Sequence, residues 1–305
     1  MKPVLLDEHF RSLPPIINFS NKEFYGNRIR VMKKDDPNEK VLEIVEVPDG
    51  KVDADATRNL PEIEALVKRL HEIIVDNERE NPDNPVSIGI ISPFRAQVEQ
   101  LKISVSKVIS DYMMEKHQIE IGTAHTFQGD ERDIILISWA FANNSFPQSI
   151  TFLQKPNLFN VAITRAKKQM INFVSRDCSE LPEGLFRSYV SYIKEYEEKH
   201  EKIVNHELDE NTYKNSFERE VAETLRTLGY EVRAGVDLGG VSADLVVNNK
   251  FVIECDGVAD NTKTSMKNMK KQAIIERCGF KVCRFSYREW LVSSEACVNR
   301  ITNYL

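Results

Sequence analysis

No stretch of these 305 residues approaches the roughly 20 consecutive apolar residues that a membrane-crossing helix requires. The first residues carry no apolar signal-peptide core. Both absences predict a chain that stays in the cytoplasm, where it is made, with no membrane partner. Cysteine is sparse: Cys178, Cys255, Cys278, Cys283 and Cys297 make an odd set of five with no Cys-x-x-Cys pair. That excludes a disulfide framework and a zinc ribbon, and predicts reduced, mostly buried thiols. Nowhere is there a Gly-x-x-x-x-Gly-Lys-Ser/Thr loop, so these residues hold no self-contained cradle for a nucleoside triphosphate. Positive charge is in deficit overall, with a net charge of −6. Its distribution says more: from Lys250 to Arg288 nine Lys/Arg face four Asp/Glu, which leaves −11 for the remainder, much of it between Asp49 and Glu64. A basic segment inside an acidic protein points to a phosphate-facing surface better than overall pI does, against the competing reading of a solvated helix face. The remaining composition, 41% hydrophobic and 29% charged, is that of an ordinary soluble protein, and the length predicts two domains.

The densest patterning lies between Ile119 and Lys168. A short apolar segment (Ile119, Ile121) leads through the polar crossing Thr123 to Gly129 into a strongly apolar strand at Ile134 to Ile137, and a helix expected to carry Arg165 follows. Strands apolar at nearly every position need cover on both faces, which predicts a parallel α/β sheet with ligands at the carboxyl ends of its strands. Upstream, Ile63, Leu66, Val67, Leu70, Ile73 and Ile74 repeat with helical spacing behind Pro61, a residue suited to a first helical turn. Val41 to Val47 and Val86 to Ile91 read as strands, and Ser92-Pro-Phe-Arg-Ala-Gln97 as the start of another helix.

The run Thr123-x-His125-x-Phe127-Gln-Gly-Asp-Glu131, followed by Asn160-Val-Ala-Ile-Thr-Arg165-Ala-Lys167, resembles motifs V and VI of superfamily 1 helicases, in the group that includes the nonsense-mediated-decay helicase. The opening stretch around Phe10-Arg11 is similar to motif IV of that group. The resemblance implies the second of two RecA-like motor domains, with Arg11, Gly129, Glu131 and Arg165 facing a nucleotide. Gly129 would let backbone approach the ligand, Glu131 would accept from a ribose hydroxyl, and Arg165 would act as an arginine finger on the γ-phosphate. The Pro-Phe-x-x-Gln run is similar to loops of that group that touch the nucleic-acid backbone, which implies Ser92, Arg95, Thr123 and His125 as contacts. Taken singly, a turn glycine, a solvated acid and a surface arginine explain the same residues. Two motifs in order, with 36 positions from Gly129 to Arg165, favour the helicase reading. The sequence Asp7-Glu8-His9 imitates a magnesium-binding helicase box without the phosphate loop such a box works with. The first motor domain has no counterpart here, so the chain is expected to be a carboxyl-terminal fragment or one half of a split protein. It would complete an ATP site only with an N-terminal RecA-like partner and hydrolyse no ATP alone.

The second half reads differently. Residues 179–212 suggest a polar helical linker between a domain of residues 1–178 and one of residues 213–305. From Ser216, Phe217, Val221, Leu225 and Leu228 share a helix face that stops at Gly229. Three strand-like segments, a basic helix from about Ser265 to Arg277 and a last strand at Phe280 to Phe285 follow. In this α-β-β-β-α-β order Asp244 opens one strand and Glu254-Cys-Asp256 ends the next, so three carboxylates can converge at one sheet edge. Acids so placed repel unless a cation lies among them. Oxygen-only ligands beside lysines suit Mg²⁺ or Mn²⁺, against the reading of solvated strand-end acids. Ile253-Glu-Cys-Asp-Gly257 and Gly279-Phe-Lys-Val-Cys-Arg-Phe285 resemble the very-short-patch-repair-like branch of the PD-(D/E)XK nucleases, over about Asn215 to Leu291. The resemblance implies a smaller α/β restriction-endonuclease-like domain that cleaves DNA, with DNA or RNA as partner and metal held by Asp244, Glu254, Asp256 and, as a further ligand, Glu218. The superfamily's usual lysine two residues after the glutamate is replaced by Asp256. Lys267 or Lys271 is therefore expected to stand in, with Gln272 beside them and Lys270 against phosphates. Two readings of different class result: a helicase–nuclease fragment, and a nucleic-acid-binding module whose inactive nuclease fold directs a motor. A third, a nucleotide-binding α/β protein with an accessory domain, leaves the Glu254-Cys-Asp256 cluster unexplained.

Overall fold

The computed structural model describes residues 7–53, 58–205, 211–257 and 262–302. Leu5 and Leu6 of the opening stretch, residues 54–57 of the acidic run and residues 206–210 of the expected linker lie outside them. The chain forms two compact units, one of Met1–Pro14, Arg28–Asn38 and Lys202–Leu305, the other of Pro15–Asn27 and Glu39–Glu201. Neither is the contiguous half that motif order suggests.

Two short strands, β1 (Glu8–His9) and β2 (Arg30–Val31), pair in parallel and belong to the first of these units. The other unit begins with α1 (Pro14–Tyr25) and runs through β3 (Leu42–Glu46), α2 (Leu60–Glu80), β4 (Ile88–Ile91), α3 (Arg95–Ser106), α4 (Asp111–Lys116), β5 (Glu120–Gly122), β6 (Arg132–Ser138), α5 (Pro147–Leu153), α6 (Pro156–Ile163), β7 (Ala166–Val174) and α7 (Leu185–Val204). Its sheet has the order β3-β7-β6-β4-β5, all parallel. The chain leaves β4 toward β5 and leaves β6 in the opposite direction toward β7. A crevice therefore opens outside the carboxyl ends of β4 and β6, the switch point at which such sheets bind ligands. Helix α2 forms where its periodicity predicts: Asn59 caps it by accepting from the Glu62 N–H, and Ile63, Leu66, Leu70 and Ile74 are buried against Ile90 and Leu136. Helix α3 starts at Arg95, later than Ser92, whose buried hydroxyl accepts from the Phe94 N–H and closes a turn instead of capping a helix.

Two further expectations are corrected. Arg165 lies in the turn between α6 and β7, outside any helix, because the helix ends where the Thr164 hydroxyl donates back to the Asn160 carbonyl at 2.7 Å. The expected linker, α7, is mostly part of the parallel-sheet unit. Phe186, Tyr189, Val190 and Ile193 recur with helical spacing and bury a face against Trp139 and Phe159, with ring centroids 4.8 Å apart for Trp139–Phe186 and 5.4 Å for Phe159–Tyr189. The charge of its second half hid an amphipathic first half.

The remaining unit holds α8 (Ser216–Thr227), β8 (Val232–Leu238), β9 (Val241–Val247), β10 (Phe251–Asp256), α9 (Thr262–Arg277), β11 (Lys281–Ser286), α10 (Tyr287–Val292) and α11 (Ser294–Thr302). Its mixed sheet has the order β11-β10-β9-β8, with β10 and β11 parallel and the rest antiparallel. Both hairpins turn on two residues with positive φ, Gly239-Gly240 and Asn248-Asn249, as tight right-twisted hairpins require. One face packs Phe217, Val221 and Leu225 of α8 on Leu245, Ile253 and Phe285. The other packs Ile275, Cys278 and Phe280 on Val246 and Val252, and Met32, from the amino-terminal part of the chain, completes it. Gly239 marks how close this packing is, since a Cβ there would stand 2.9 Å from both Ile274 and Met32.

Candidate nucleic-acid interface and nuclease centre

In the parallel-sheet unit the residues between β5 and β6 divide between two edges of the sheet. Thr123 and His125 follow the carboxyl end of β5, whereas Gly129 and Glu131 immediately precede the amino end of β6. Between them Phe127 crosses the sheet, fully buried against Gly89, where a Cβ would stand 2.8 Å from its ring. Gly129 has φ +91 with open space where a Cβ would be, so glycine serves the backbone turn there. Arg165 precedes β7 at the same amino edge. Its Nε donates to the Val161 carbonyl at 2.9 Å, and Nη1 reaches the Phe127 and Asp130 carbonyls at 3.4 Å, so the guanidinium ties α6 to the β5–β6 crossing. Glu131 pairs with Lys167 at 3.1 Å. Gly129, Glu131 and Arg165 are thus neighbours, but at the amino edge and not at the carboxyl ends where the strand pattern pointed. Arg11, the fourth expected nucleotide contact, belongs to the other unit.

At the carboxyl ends of β4 and β5 lies a cavity of about 680 Å³, mostly apolar, with Arg95, Thr123 and His125 on its wall and Lys155 beside them. Phe94 and Phe152 line it with ring centroids 5.7 Å apart, and the Lys155 ammonium stands 4.9 Å from the Phe152 centroid. No carboxylate is among its lining residues. Three of the four nucleic-acid contacts expected in this unit therefore share one site. Ser92 does not, being fully buried. Lys155 was missed, although a lysine just ahead of a Pro-led helix in an apolar stretch is a readable signal.

In the other unit the antiparallel register pairs Ile253 with Leu245, which places Glu254 opposite Asp244. Both are buried. Asp244 Oδ2 accepts from the Cys255 N–H at 2.9 Å, and Glu254 Oε1 accepts from the Asp244 N–H at 3.3 Å. Lys271 of α9 bridges them, with Nζ 3.1 Å from Asp244 Oδ1 and 2.5 Å from Glu254 Oε2, and Lys214 also binds Asp244 Oδ1. Burial and then the Asp244 charge push the Glu254 carboxyl above its ordinary range, against Lys271. Burial alone would raise Asp244 too, but the Lys214 hydrogen bond, the Lys271 charge and the Cys255 N–H outweigh it and hold that carboxyl low. One acid of the pair keeps its charge more firmly than the other, as expected of two carboxylates sharing cations.

The remaining expected ligands each have hydrogen-bond partners of their own. Asp256 accepts from Arg284 Nη1 at 2.8 and 3.1 Å. Glu218 accepts from the Lys214 N–H at 2.7 Å and from Asn215 Nδ2 at 3.3 Å, so it serves the start of α8. Lys271 is in the centre, whereas Lys267 and Lys270 are exposed on α9. Gln272 accepts from Arg284 Nε at 3.3 Å. Sequence reasoning missed Lys214 and Arg284 as members of the site. Arg284 was visible as a charge inside an apolar strand, and its register partner is Glu254. Among the described residues no group of three or more His, Cys, Asp or Glu is arranged to hold a metal ion. Two buried carboxylates already share one cation, however, and an oxygen-only pair fits Mg²⁺, which binds through one or two carboxylates and keeps several waters. Lys271 would have to yield its place.

The AAA domain family (AAA_12) matches residues 1–177. The chain belongs to that family. A restriction-endonuclease family, REase_MTES_1575, matches residues 217–305, so this AAA-family chain also carries a restriction-endonuclease-like domain. It is similar to putative helicase MOV-10 of Gallus gallus, at 28% identity over 189 residues covering 53% of this chain and 20% of that protein. Helicase SEN1 of Saccharomyces cerevisiae is 30% identical over 187 residues, covering 54% of this chain and 8% of that protein. DNA replication ATP-dependent helicase/nuclease DNA2 of Gallus gallus is 28% identical over 208 residues, covering 55% and 20%. The chain thus spans a fifth or less of the length of these relatives.

Proposed function

We propose that this chain is part of a nucleic-acid motor joined to a metal-dependent nuclease that cuts phosphodiester bonds in DNA. The observation that carries the nuclease half is the buried pair Asp244 and Glu254, set opposite each other by strand register and sharing one cation. A Mg²⁺ or Mn²⁺ bound by that pair would polarise water and the departing phosphate oxygen. The chain's own groups would do the rest. Asp244, held ionised by its lysines, supplies the fixed negative charge. Lys271, once displaced from the carboxylates, can offer its ammonium to phosphate, and Lys267 and Lys270 face the incoming strand. In the motor half, the cavity with Arg95, Thr123, His125 and Lys155 suits a single strand, its cations meeting phosphates and its rings meeting bases. Gly129, Glu131 and Arg165 would face a nucleotide whose site is completed by an N-terminal, first motor domain.

A second reading is favoured by the salt bridges themselves: if Lys271 never leaves the acid pair, the domain binds nucleic acid without cutting it. Cleavage separates the two. The full chain should nick or cut DNA with Mg²⁺ or Mn²⁺ and be silent in chelator. Glu254→Gln should abolish cutting while leaving DNA binding and circular dichroism intact. Cutting by E254Q at the wild-type rate would sink the nuclease reading, and a wild-type chain that binds DNA but never cuts it would leave the binding module in its place.

A further inference from the structure

We propose that Arg284 grips the phosphate to be cut, and that Asp256 is its positioning residue and not a metal ligand. The proposal rests on the nuclease reading above and names a residue that reading does not use. Arg284 comes from β11, beside Glu254 on β10. Two of its three guanidinium nitrogens are held from two directions, Nη1 by both oxygens of Asp256 and Nε by Gln272 of α9. The third, Nη2, is buried without a hydrogen-bond partner and lies 3.6 Å from Glu254 Oε2. A buried N–H without a hydrogen-bond partner is costly, so a protein keeps one where something else supplies the acceptor. Here the orphan sits on a permanently charged fork whose orientation is already fixed, next to the acid pair. The acceptor such a group selects is an anionic oxygen with phosphate geometry. A non-bridging oxygen of the phosphodiester fits. Asp256 alone would repel a phosphate; bound to Arg284 it delivers a cation to the same edge.

During cleavage a water oxygen bonds to phosphorus and the P–O bond to one nucleoside breaks. The proton of the water leaves to solvent or a neighbouring base, and another proton reaches the departing oxygen. Arg284 keeps its own protons throughout and donates to the oxygen on which charge builds.

The test uses the full chain with Arg284→Ala, Arg284→Lys and Asp256→Asn, folding being checked by circular dichroism. Initial rates on DNA with Mn²⁺ separate kcat from KM, and Mn²⁺ binding is read independently by electron paramagnetic resonance. R284A should lower kcat about 100-fold, the usual loss on removing one aligned donor, with a smaller change in KM. R284K should stay low, because an ammonium cannot reproduce the fork. Added guanidinium ion should restore part of the rate to R284A and none to E254Q. D256N should follow R284A in rate while binding Mn²⁺ like wild type. An R284A protein that cuts at the wild-type rate, or a D256N protein that loses Mn²⁺, overturns the proposal. If wild type cuts nothing with either metal, the nuclease reading fails separately. The grip is then judged by DNA affinity: about tenfold weaker binding by R284A, the worth of one hydrogen bond to a charged group, supports it, and equal affinities overturn it.

Discussion

Glu62 is a completely buried carboxyl that no motif singles out. Its oxygens accept from Ser138 and Ser175 hydroxyls, each at 2.6 Å, and from the Ala140 N–H at 2.8 Å, while Asn59 Nδ2 lies at 3.2 Å. Four donors favour the charged form, but burial is the larger effect and pushes the group up to about 7. Gln97, from the run that resembles a nucleic-acid contact loop, belongs to the same network: it donates to Ser138 Oγ at 2.8 Å and accepts from the Asn59 N–H at 2.8 Å. It therefore shapes the site from behind. Because the folded carboxyl holds its proton more tightly than the unfolded one, its contribution to stability is complete below about pH 4.5 and is lost as pH rises through 7. The full swing is on the order of 3 kcal/mol. Glu62→Gln should raise the melting temperature relative to wild type at pH 8 and not at pH 5, as differential scanning calorimetry would record. The same difference at both pH values would contradict this account.

At the scale of elements, helix α9 does two jobs. Lys271 and Gln272 turn toward the acid pair and Arg284, while Lys267 and Lys270 stand in solvent beside the exposed Met266 and Met269. A composition count cannot separate these lysines, since all contribute to the same basic stretch; burial and ion pairing do, for Lys267 lies one turn from Lys271 yet stays exposed. Lys267→Ala with Lys270→Ala should therefore flatten the salt dependence of DNA binding by about 0.9 log unit per lost B-DNA phosphate contact, and spare cutting at saturating DNA. Lys271→Ala should remove cleavage, with a change in slope of no more than one such contact. Identical salt slopes for the double variant and wild type would return Lys267 and Lys270 to a merely solvated face.

At the scale of the whole molecule, the nuclease-like unit is not contiguous in sequence. Residues 28–38 supply β2, which pairs with β1, and Met32, which packs into the core under the four-stranded sheet; Lys34 stacks over Phe280 at 4.2 Å, and Asn249 donates to the Asp35 carbonyl at 3.1 Å. Met32→Ala should cost the unit about 2–5 kcal/mol, as burial-to-cavity changes do. Each unit holds one tryptophan, Trp139 in the parallel-sheet unit and Trp290 in the other, so the effect can be localised by fluorescence. In a Trp139→Phe background the denaturation midpoint reported by Trp290 should fall with M32A. In a Trp290→Phe background the midpoint reported by Trp139 should stay. A fall in the second alone would refute the assignment of Met32. These 305 residues contain no phosphate loop, so the chain alone should show no DNA-stimulated ATPase in a phosphate-release assay. Hydrolysis by it would overturn that expectation.

Local pattern was enough for the parallel α/β sheet and the α-β-β-β-α-β order, because apolar runs, helical spacing and tight-turn residues are properties of neighbours in the chain. It was not enough wherever distant segments meet. Only the fold decided that Phe127 carries the β5–β6 crossing from one sheet edge to the other, dividing Thr123 and His125 from Gly129 and Glu131. Only the fold decided that Asp256 faces Arg284 from another strand, that Glu218 serves a helix start, and that Met32 completes a core more than 200 positions downstream. Secondary structure follows from short-range periodicity, whereas which charge neutralises which buried carboxylate depends on strand register and burial, and those exist only once the sheets have formed.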